Sequence, residues 1–467
     1  MSMKDIESGD SIDKGGRMRC NKSIGKRKRN LKWMREELIS SQLNAVRELL
    51  PNEAIQDICQ EAGYYFRTRL FCPLITIFHM IGAAISRDGS FQSSWHFNGQ
   101  TGQSDSLAKA RKRLPLSVWQ GLDQWICKQI SQKHDSKYLW REHRVIGLDG
   151  TCHSMSDEPE LVSYFGRAGT KHGPSRFPIA RNLIAFNLYT LVTVQHQMGP
   201  YRTSEAAMAS LLIPQLCPGD VIVDDRGFMG IPHYVQCLQR ALHFINRVPS
   251  HVRLERLEVI QRFNSKDRIV KMPIPKHYRK KNPTWPEYLL LRLVEVTARI
   301  RGQKETFWLA TSLLDSRAYP AAEIRMVYKK RWKVEDLIRE LKIWLSADIL
   351  RSKSVEQIYK EMTARIVALN LIHWLMLEAA KEHRKNPERL SVSATLRLTA
   401  AYSLKMNHCP APQLPVLYQD LLEKIAHSSV PYRPDRIEPR MQKREQRVYS
   451  KLKIPRQQWK QIYPMAA

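Results

Sequence analysis

Between residues 144 and 248 the chain carries short runs rich in β-branched and aromatic residues: RVIGLDG, ARNLIAFNLYTLVTVQH, GDVIVDDRGF and LHFINRV. Gly, Pro or Asp bounds each run, which is how strands announce themselves in sequence. Helical stretches, SEAAMASLLIPQL and IPHYVQCLQRAL, separate the later ones. Strands first joined by turns and then alternating with helices constrain the fold to a mixed α/β sheet. Residues 250–312 break the alternation: RLEVIQRF, DRIVKMPIP, YLLLRLVEVTARI and TFWLATSLL read as a β-rich insertion, with a Lys-, Arg- and Pro-rich loop at 276–286. The parent domain is expected to resume with a helix near Pro320.

The flanks have a different texture. RELLPNEAIQDICQEAGYYF and SLAKARKRLPLSVWQGLDQWICKQI repeat apolar residues at spacings of three and four, the helical pattern. Beyond Lys353 the same pattern runs to about residue 382, followed by a proline-punctuated tail. The expected organisation is a basic arm over 1–36, a helical N-terminal domain over 37–140, a sheet domain over 141–353, and a helical C-terminal region over 354–467 that is a candidate for dimerisation.

Charge narrows the function. Seventy-five Lys and Arg against 45 Asp and Glu give a formal +30. Such a field attracts polyanions, because neutralised phosphates release condensed counterions. The excess is spread along the chain rather than held on one amphipathic helix, which points to nucleic acid. The cluster Lys26–Arg29 fits either an arm lying on DNA phosphates or a solvated tail. The helical segment bearing Lys109, Arg111, Lys112 and Arg113 suits recognition of a DNA end.

Several classes are disfavoured. None of the eight cysteines forms a Cys-x-x-Cys pair, so no zinc ribbon or disulfide framework is indicated. The longest apolar run, Leu70–Ile85, is shorter than the ~20 residues of a membrane span and contains Pro73 and His79. It reads as a buried helix. With no apolar stretch after the N-terminal charges, a cytoplasmic protein is expected. His143 and His153 flank Asp149, but no His-x3-His or Cys/His cluster completes a zinc set. No Gly-x4-Gly-Lys-Ser/Thr loop is present, which argues against ATP.

Three acidic positions remain. Asp149 ends the run Val145–Leu148, and Asp225 ends Val221–Val223 with Asp224 beside it. Carboxylates at the carboxyl ends of strands sit where α/β sheets place their ligand crevices. An Asp before Gly is also an ordinary turn residue. Asp224 and Asp225, being adjacent, face opposite ways on a strand. The third position lies in YKKRWKVEDLIRELK, from Tyr328 to Lys342. With Tyr328 as angular origin and about 100° per residue, Arg331 falls near about −60°, Glu335 about −20° and Lys342 about −40°. Four functional side chains thus share one stripe, leaving Trp332, Leu341 and Leu345 to pack elsewhere. Asp336 and Glu340 fall about 100° and 140° from Glu335. The ordinary reading is an amphipathic helix with internal salt bridges, such as Asp336 with Arg339.

The spacing Tyr-x2-Arg-x3-Glu-x6-Lys, filled by Tyr328, Arg331, Glu335 and Lys342, resembles the signature of the IS4-family transposases, DDE enzymes with a ribonuclease H-like core. Asp149-Gly150-Thr151 and Asp225-Arg226-Gly227-Phe228 resemble the family's first and second Asp motifs. Segments Thr101–Pro115 and Leu350–Met362 are similar to stretches on either side of the catalytic core. The resemblance implies an α/β, ribonuclease H-like mixed sheet with a β-rich insertion between helical regions. It selects Asp225, with Asp224 as the fallback. It makes Asp149, Asp225 and Glu335 the catalytic metal ligands, and Tyr328, Arg331, Lys342 and Arg226 DNA contacts. Two Mg²⁺ (or Mn²⁺) ions suit such an oxygen-only set.

It further implies cut-and-paste transposition by a homodimer acting on double-stranded DNA, at terminal inverted repeats and at a target, in a prokaryotic cytoplasm and nucleoid. If excision passes through hairpin ends, Trp285 and Trp308 are candidates to receive a flipped base. A nuclease or resolvase of the same fold, and a non-catalytic DNA-end-binding repressor, are the rival readings.

Overall fold

A computed structural model describes residues 49–66, 71–85, 105–170, 173–228, 230–300, 303–407, 409–431, 454 and 456–462. The basic arm over 1–36 and residues 101–104 lie outside them. The described residues up to Ser429 form one compact unit, and those from Val430 onward, mainly the helix Arg456–Ile462, belong to a second.

The first unit is built on a mixed sheet. Its strands are β1 (Val145–Met155), β2 (Ile179–Asn187), β3 (Thr193–Pro200), β4 (Val221–Asp224), β5 (His243–Arg247), β6 (Glu258–Asn264), β7 (Asp267–Pro273), β8 (Tyr288–Ile300) and β9 (Gln303–Thr311). Their order across the sheet is β3-β2-β1-β4-β5-β9-β8-β7-β6. The first three form an antiparallel meander, and β4 and β5 then run parallel to β1. A meander followed by parallel strands in the order 3-2-1-4-5 is the ribonuclease H-like arrangement. The expected insertion is present as β6 to β9, and it joins the core edge to edge: β9 pairs antiparallel with β5. Buried Arg292 on β8 makes a paired contact with Asp267 (2.8 and 2.6 Å) and donates to the Tyr319 carbonyl (2.6 Å). The insertion is thereby tied to the chain just before the helix at Ala321 begins.

Side-chain alternation divides the core into two layers. Val145, Ile184, Phe186, Val223 and Ile245 face one side, while Ile146, Leu148, Leu183, Ile222 and Phe244 face the other. On the second side lie α5 (Glu205–Leu212) and α6 (Ile231–Gln239), the helices between β3, β4 and β5. The preceding helices are α1 (Asn52–Glu61), α2 (Pro73–Ile85), α3 (Asp105–Arg113) and α4 (Leu116–His134). Every residue of α2 is buried, as its unbroken apolar composition requires.

The first side carries α7 (Ala321–Lys329), α8 (Trp332–Arg339) and the long α9 (Val355–Glu382), followed by α10 (Val392–Asn407) and α11 (Leu414–His427). Helix α9 is buried almost throughout, and α2, α4, α10 and α11 pack on it. Asn370 of α9 ties this layer to the edge strand β3. Its amide accepts from Thr193 N (2.8 Å) and donates to Thr193 O (2.9 Å), replacing a missing strand neighbour.

The single helix expected from Tyr328 to Lys342 is instead three pieces: α7, α8 and a π-helical turn over Glu340–Trp344. Lys330 and Arg331 keep right-handed helical angles, so the interruption between α7 and α8 is slight. The π turn has a packing reason. In an α-helix a step of four residues rotates the side chain by about 40°. The wider turn offsets that drift and lets Leu337, Leu341 and Leu345 all be buried. Trp332 departs from expectation in the other direction. It is 50% exposed, and the Arg331 guanidinium lies 4.4 Å over its ring.

Candidate active site

The two aspartates are brought together by strand register. Gly147 of β1 aligns with Val223 of β4. Asp149, inside β1 rather than at its end as expected, and Asp225, the first residue past β4, each lie two residues further on, so they share one face of neighbouring strands about 4.8 Å apart. Asp149 accepts a hydrogen bond from the Gly150 N–H (2.8 Å), and Asp225 from the Gly227 N–H (2.7 Å). Burial pushes the Asp149 carboxyl up to about 6; Asp225 and Glu205 add to this, against Gly150 N–H and Arg331.

Helix α8 is seated on that same face by an absent side chain. A β-carbon on Gly147 would fall 2.4 Å from Val334 Cγ2 and 2.7 Å from Leu188 Cδ2. Glycine in a strand interior costs conformational entropy and often marks close approach of another element. Here that element is the helix carrying Glu335, the residue after Val334.

Glu335 is about half exposed and pairs with Arg331 at 3.4 Å. Among the described residues no three His, Cys, Asp or Glu side chains stand close enough to hold a metal ion. Asp149 and Asp225 are thus adjacent, and Glu335 stands over the same face in a contact with Arg331. Asp336 pairs with Arg339 (2.5 Å) and Glu340 with buried His373 (3.2 Å). Both point away, as the helical projection anticipated.

Register also separates Asp224 from Asp225. Asp224 is fully buried on the other face, 2.9 Å from His233 Nε2 and hydrogen-bonded by the Asn246 amide. Burial opposes the His233 charge, but Asp224 outweighs it and raises the imidazolium to about 10. Asp224 is therefore committed within the fold.

The remaining expected residues divide. The Tyr328 ring is buried against Phe307, and burial drives its hydroxyl up to about 12. Arg331 and Arg247 oppose that rise, and Asp224 and Asp225 add to it. Lys342, in the π turn, reaches Asp348 at 3.5 Å. Arg226 is exposed beyond β4. On α3, Lys109, Lys112 and Arg113 are exposed, whereas Arg111 turns inward, donates to Ser352 Oγ (3.4 Å), and has its basicity lowered by burial.

Trp285 stacks with Tyr278 (6.1 Å) and Trp308 lies under Arg268 (4.7 Å); both are partly buried against the insertion's core. His143 is occupied by the Gly219 carbonyl and Tyr319 hydroxyl, and His153 by the Ala347 carbonyl.

The family described as Transposase DDE domain matches residues 140–371, which contain Asp149, Asp225 and Glu335. Transposase InsG for insertion sequence element IS4 of Escherichia coli (strain K12) is 24% identical over 310 residues, covering 65% of this chain and 68% of that protein. The chain belongs to the IS4 family of DDE transposases. The putative transposase InsZ of the same organism is 26% identical over 128 residues, which are 26% of this chain and 42% of its own. A solved piggyBac transposase synaptic complex with hairpin DNA covers 82% of this chain at 13% identity, with a TM-score of 0.42.

As a DDE transposase the protein cleaves DNA and transfers strands, and its family uses divalent metal ions. No helix among the described residues is long and apolar enough to cross a membrane. Sequence reasoning missed the roles of Gly147, Glu205, His233 and Asn246. Only Gly147 left a trace, as the lone glycine inside an apolar strand run. Glu205 opens α5 with its carboxylate 2.3 Å from where a Gly150 β-carbon would lie.

Proposed function

We propose that this transposase excises an insertion sequence at its terminal inverted repeats and joins it to target DNA by a cut-and-paste route. Asp149, Asp225 and Glu335 act as its catalytic carboxylates. The observation that carries the reading is the register of β1 and β4, which sets two aspartates side by side beneath the helix bearing Glu335. Burial, with repulsion from Asp225, holds the Asp149 proton to about pH 6, and a divalent cation would relieve that repulsion.

The donor set is all oxygen, which fits Mg²⁺ or Mn²⁺, two ions per site, with Asp149 and Asp225 holding them from the sheet. When bound, such ions activate the attacking oxygen and stabilise the leaving one in an in-line displacement. Glu335 completes the set by exchanging its Arg331 contact for the site. Arg331, once released, is a forked phosphate donor, and Lys342 and Arg226 add point and forked charge. Tyr328, buried against Phe307, accepts the Arg331 N–H at its main-chain carbonyl (2.9 Å) and so anchors the start of α8. Lys109, Lys112 and Arg113 present a basic strip for the DNA end.

The region over 37–140 binds DNA, 141–353 catalyses, and 354–467 contributes to a homodimer. ATP has no role, and the protein works on the nucleoid in the cytoplasm. The test is incubation of the protein with end-bearing DNA and Mg²⁺. Nicked ends together with joined products support transposition. Nicked ends that never join would favour a nuclease of the same fold, and binding without nicking a repressor.

A further inference from the structure

Directly behind Asp225, on the face of the sheet away from α8, a chain of buried side chains converges on one amide. Asn246 of β5 aligns with Asp224 of β4. Its Nδ2 donates both to Asp224 Oδ1 and, at 2.7 Å, to the main-chain carbonyl of Asp225. Its Oδ1 accepts from the Tyr234 hydroxyl at 3.0 Å. The far oxygen of Asp224 lies 2.9 Å from His233 Nε2. Asn246, Asp224 and Tyr234 are each fully buried.

The amide cannot flip. Oδ1 faces a hydroxyl donor, while both hydrogens of Nδ2 are spent on oxygens, so the reversed amide would set oxygen against oxygen. Tyr234 is itself fixed by stacking on Phe244, with ring centres 4.2 Å apart.

What the chain holds is the peptide at which β4 ends. Asp225 is the first residue past the strand ladder, followed by a turn through Arg226 and Gly227. Its carbonyl also accepts from the turn's own Phe228 N–H (3.3 Å), so without the Asn246 clamp Asp225 would be held by the loop rather than by the sheet.

We infer that Asn246, oriented by Tyr234 and Asp224, is a positioning residue that sets the Asp225 carboxylate for metal binding. This rests on the reading of Asp225 as a metal ligand. Partners of this kind around metal ligands change metal affinity by roughly 10–100-fold when removed.

The experiment uses the full chain carrying Asn246→Ala, Tyr234→Phe or Asp225→Asn. Mn²⁺ binding is followed by the paramagnetic resonance of the free ion, alongside thermal melting and the Mg²⁺ concentration for half-maximal cleavage. Asn246→Ala is expected to weaken Mn²⁺ binding by roughly 10–100-fold and raise the Mg²⁺ requirement in parallel, with excess Mg²⁺ recovering much of the rate. Tyr234→Phe, which keeps the ring stack, is expected to shift both in the same direction by a smaller factor.

A folded Asn246→Ala protein with unchanged Mn²⁺ affinity overturns the inference. Should that variant fail to fold, Tyr234→Phe decides, and an unshifted metal requirement there overturns it equally. Asp225→Asn tells the two layers apart. If it binds Mn²⁺ and cleaves normally, the reading of Asp225 falls. If it is inactive while Asn246→Ala behaves as wild type, only the inference falls.

Discussion

Val334 closes over Gly147 so tightly that a single added carbon on the strand would lie 2.4 Å from its Cγ2. The height of the Glu335 helix above the two aspartates is therefore fixed by the lack of one methyl group. Gly147→Ala should lift α8, destabilise the fold by about 1–3 kcal/mol, and reduce cleavage far more than DNA-end binding. Thermal melting together with cleavage assays checks this. Adding Val334→Ala to Gly147→Ala should recover part of the activity, and an equally inactive double variant would locate the damage elsewhere.

Glu335→Gln should abolish cleavage and leave binding of the DNA end within a few-fold of wild type. The carboxylate is half exposed and its ion-pair partner is Arg331, so its loss removes little from the fold. Exposed ion pairs contribute at most about 1 kcal/mol. Cleavage that persisted in this variant would take Glu335 out of the site.

Asp149 has a pH signature of known sign. Its folded pKa is raised from 3.8 to about 6, through burial first and then Asp225 and Glu205. Between those values the folded state holds more protons than the unfolded chain, so stability falls as pH rises through the window and then levels off. In metal-free protein, Asp149→Asn should melt higher than wild type above pH 6, with the gap shrinking toward pH 4. A divalent cation should raise the wild-type melting temperature at pH 7.5 and not that of the variant. Melting curves across pH, with and without Mn²⁺, test both.

The basic helix separates two kinds of arginine. Replacing exposed Lys109, Lys112 and Arg113 by Ala should flatten the dependence of end binding on salt, by about one unit of log–log slope for each phosphate left without its cation. Arg111→Ala should instead lower the melting temperature with the salt slope unchanged, since its guanidinium is turned toward Ser352. A salt titration of end binding distinguishes them.

Local patterning made the core strands, the β-rich insertion and the fully buried helix at residues 73–85 readable, because period and punctuation are properties of neighbours in sequence. Asp149 and Asp225 were readable for the same reason, as carboxylates closing apolar runs. The break between Tyr328 and Lys342 was not. Projection onto a wheel assumes a constant 3.6 residues per turn, and the π turn over Glu340–Trp344 answers to packing of Leu341 and Leu345. The same projection leaves Trp332 to pack on another side of the helix, yet it is half exposed with the Arg331 guanidinium over its ring. Asn246 was invisible, because its value lies in a strand alignment that no local pattern encodes.

The insertion's attachment has a consequence for anyone seeking a smaller enzyme. Strand β9 meets β5 at Leu309–Arg247, Ala310–Asn246 and Thr311–Ile245. Excising residues 250–312 would strip those partners from the very strand that carries Asn246 and leave its backbone groups bare. A bare edge is a template for whichever chain arrives next. The trimmed protein would gain a sticky seam beside its chemistry, and its fate would be decided by self-association before catalysis.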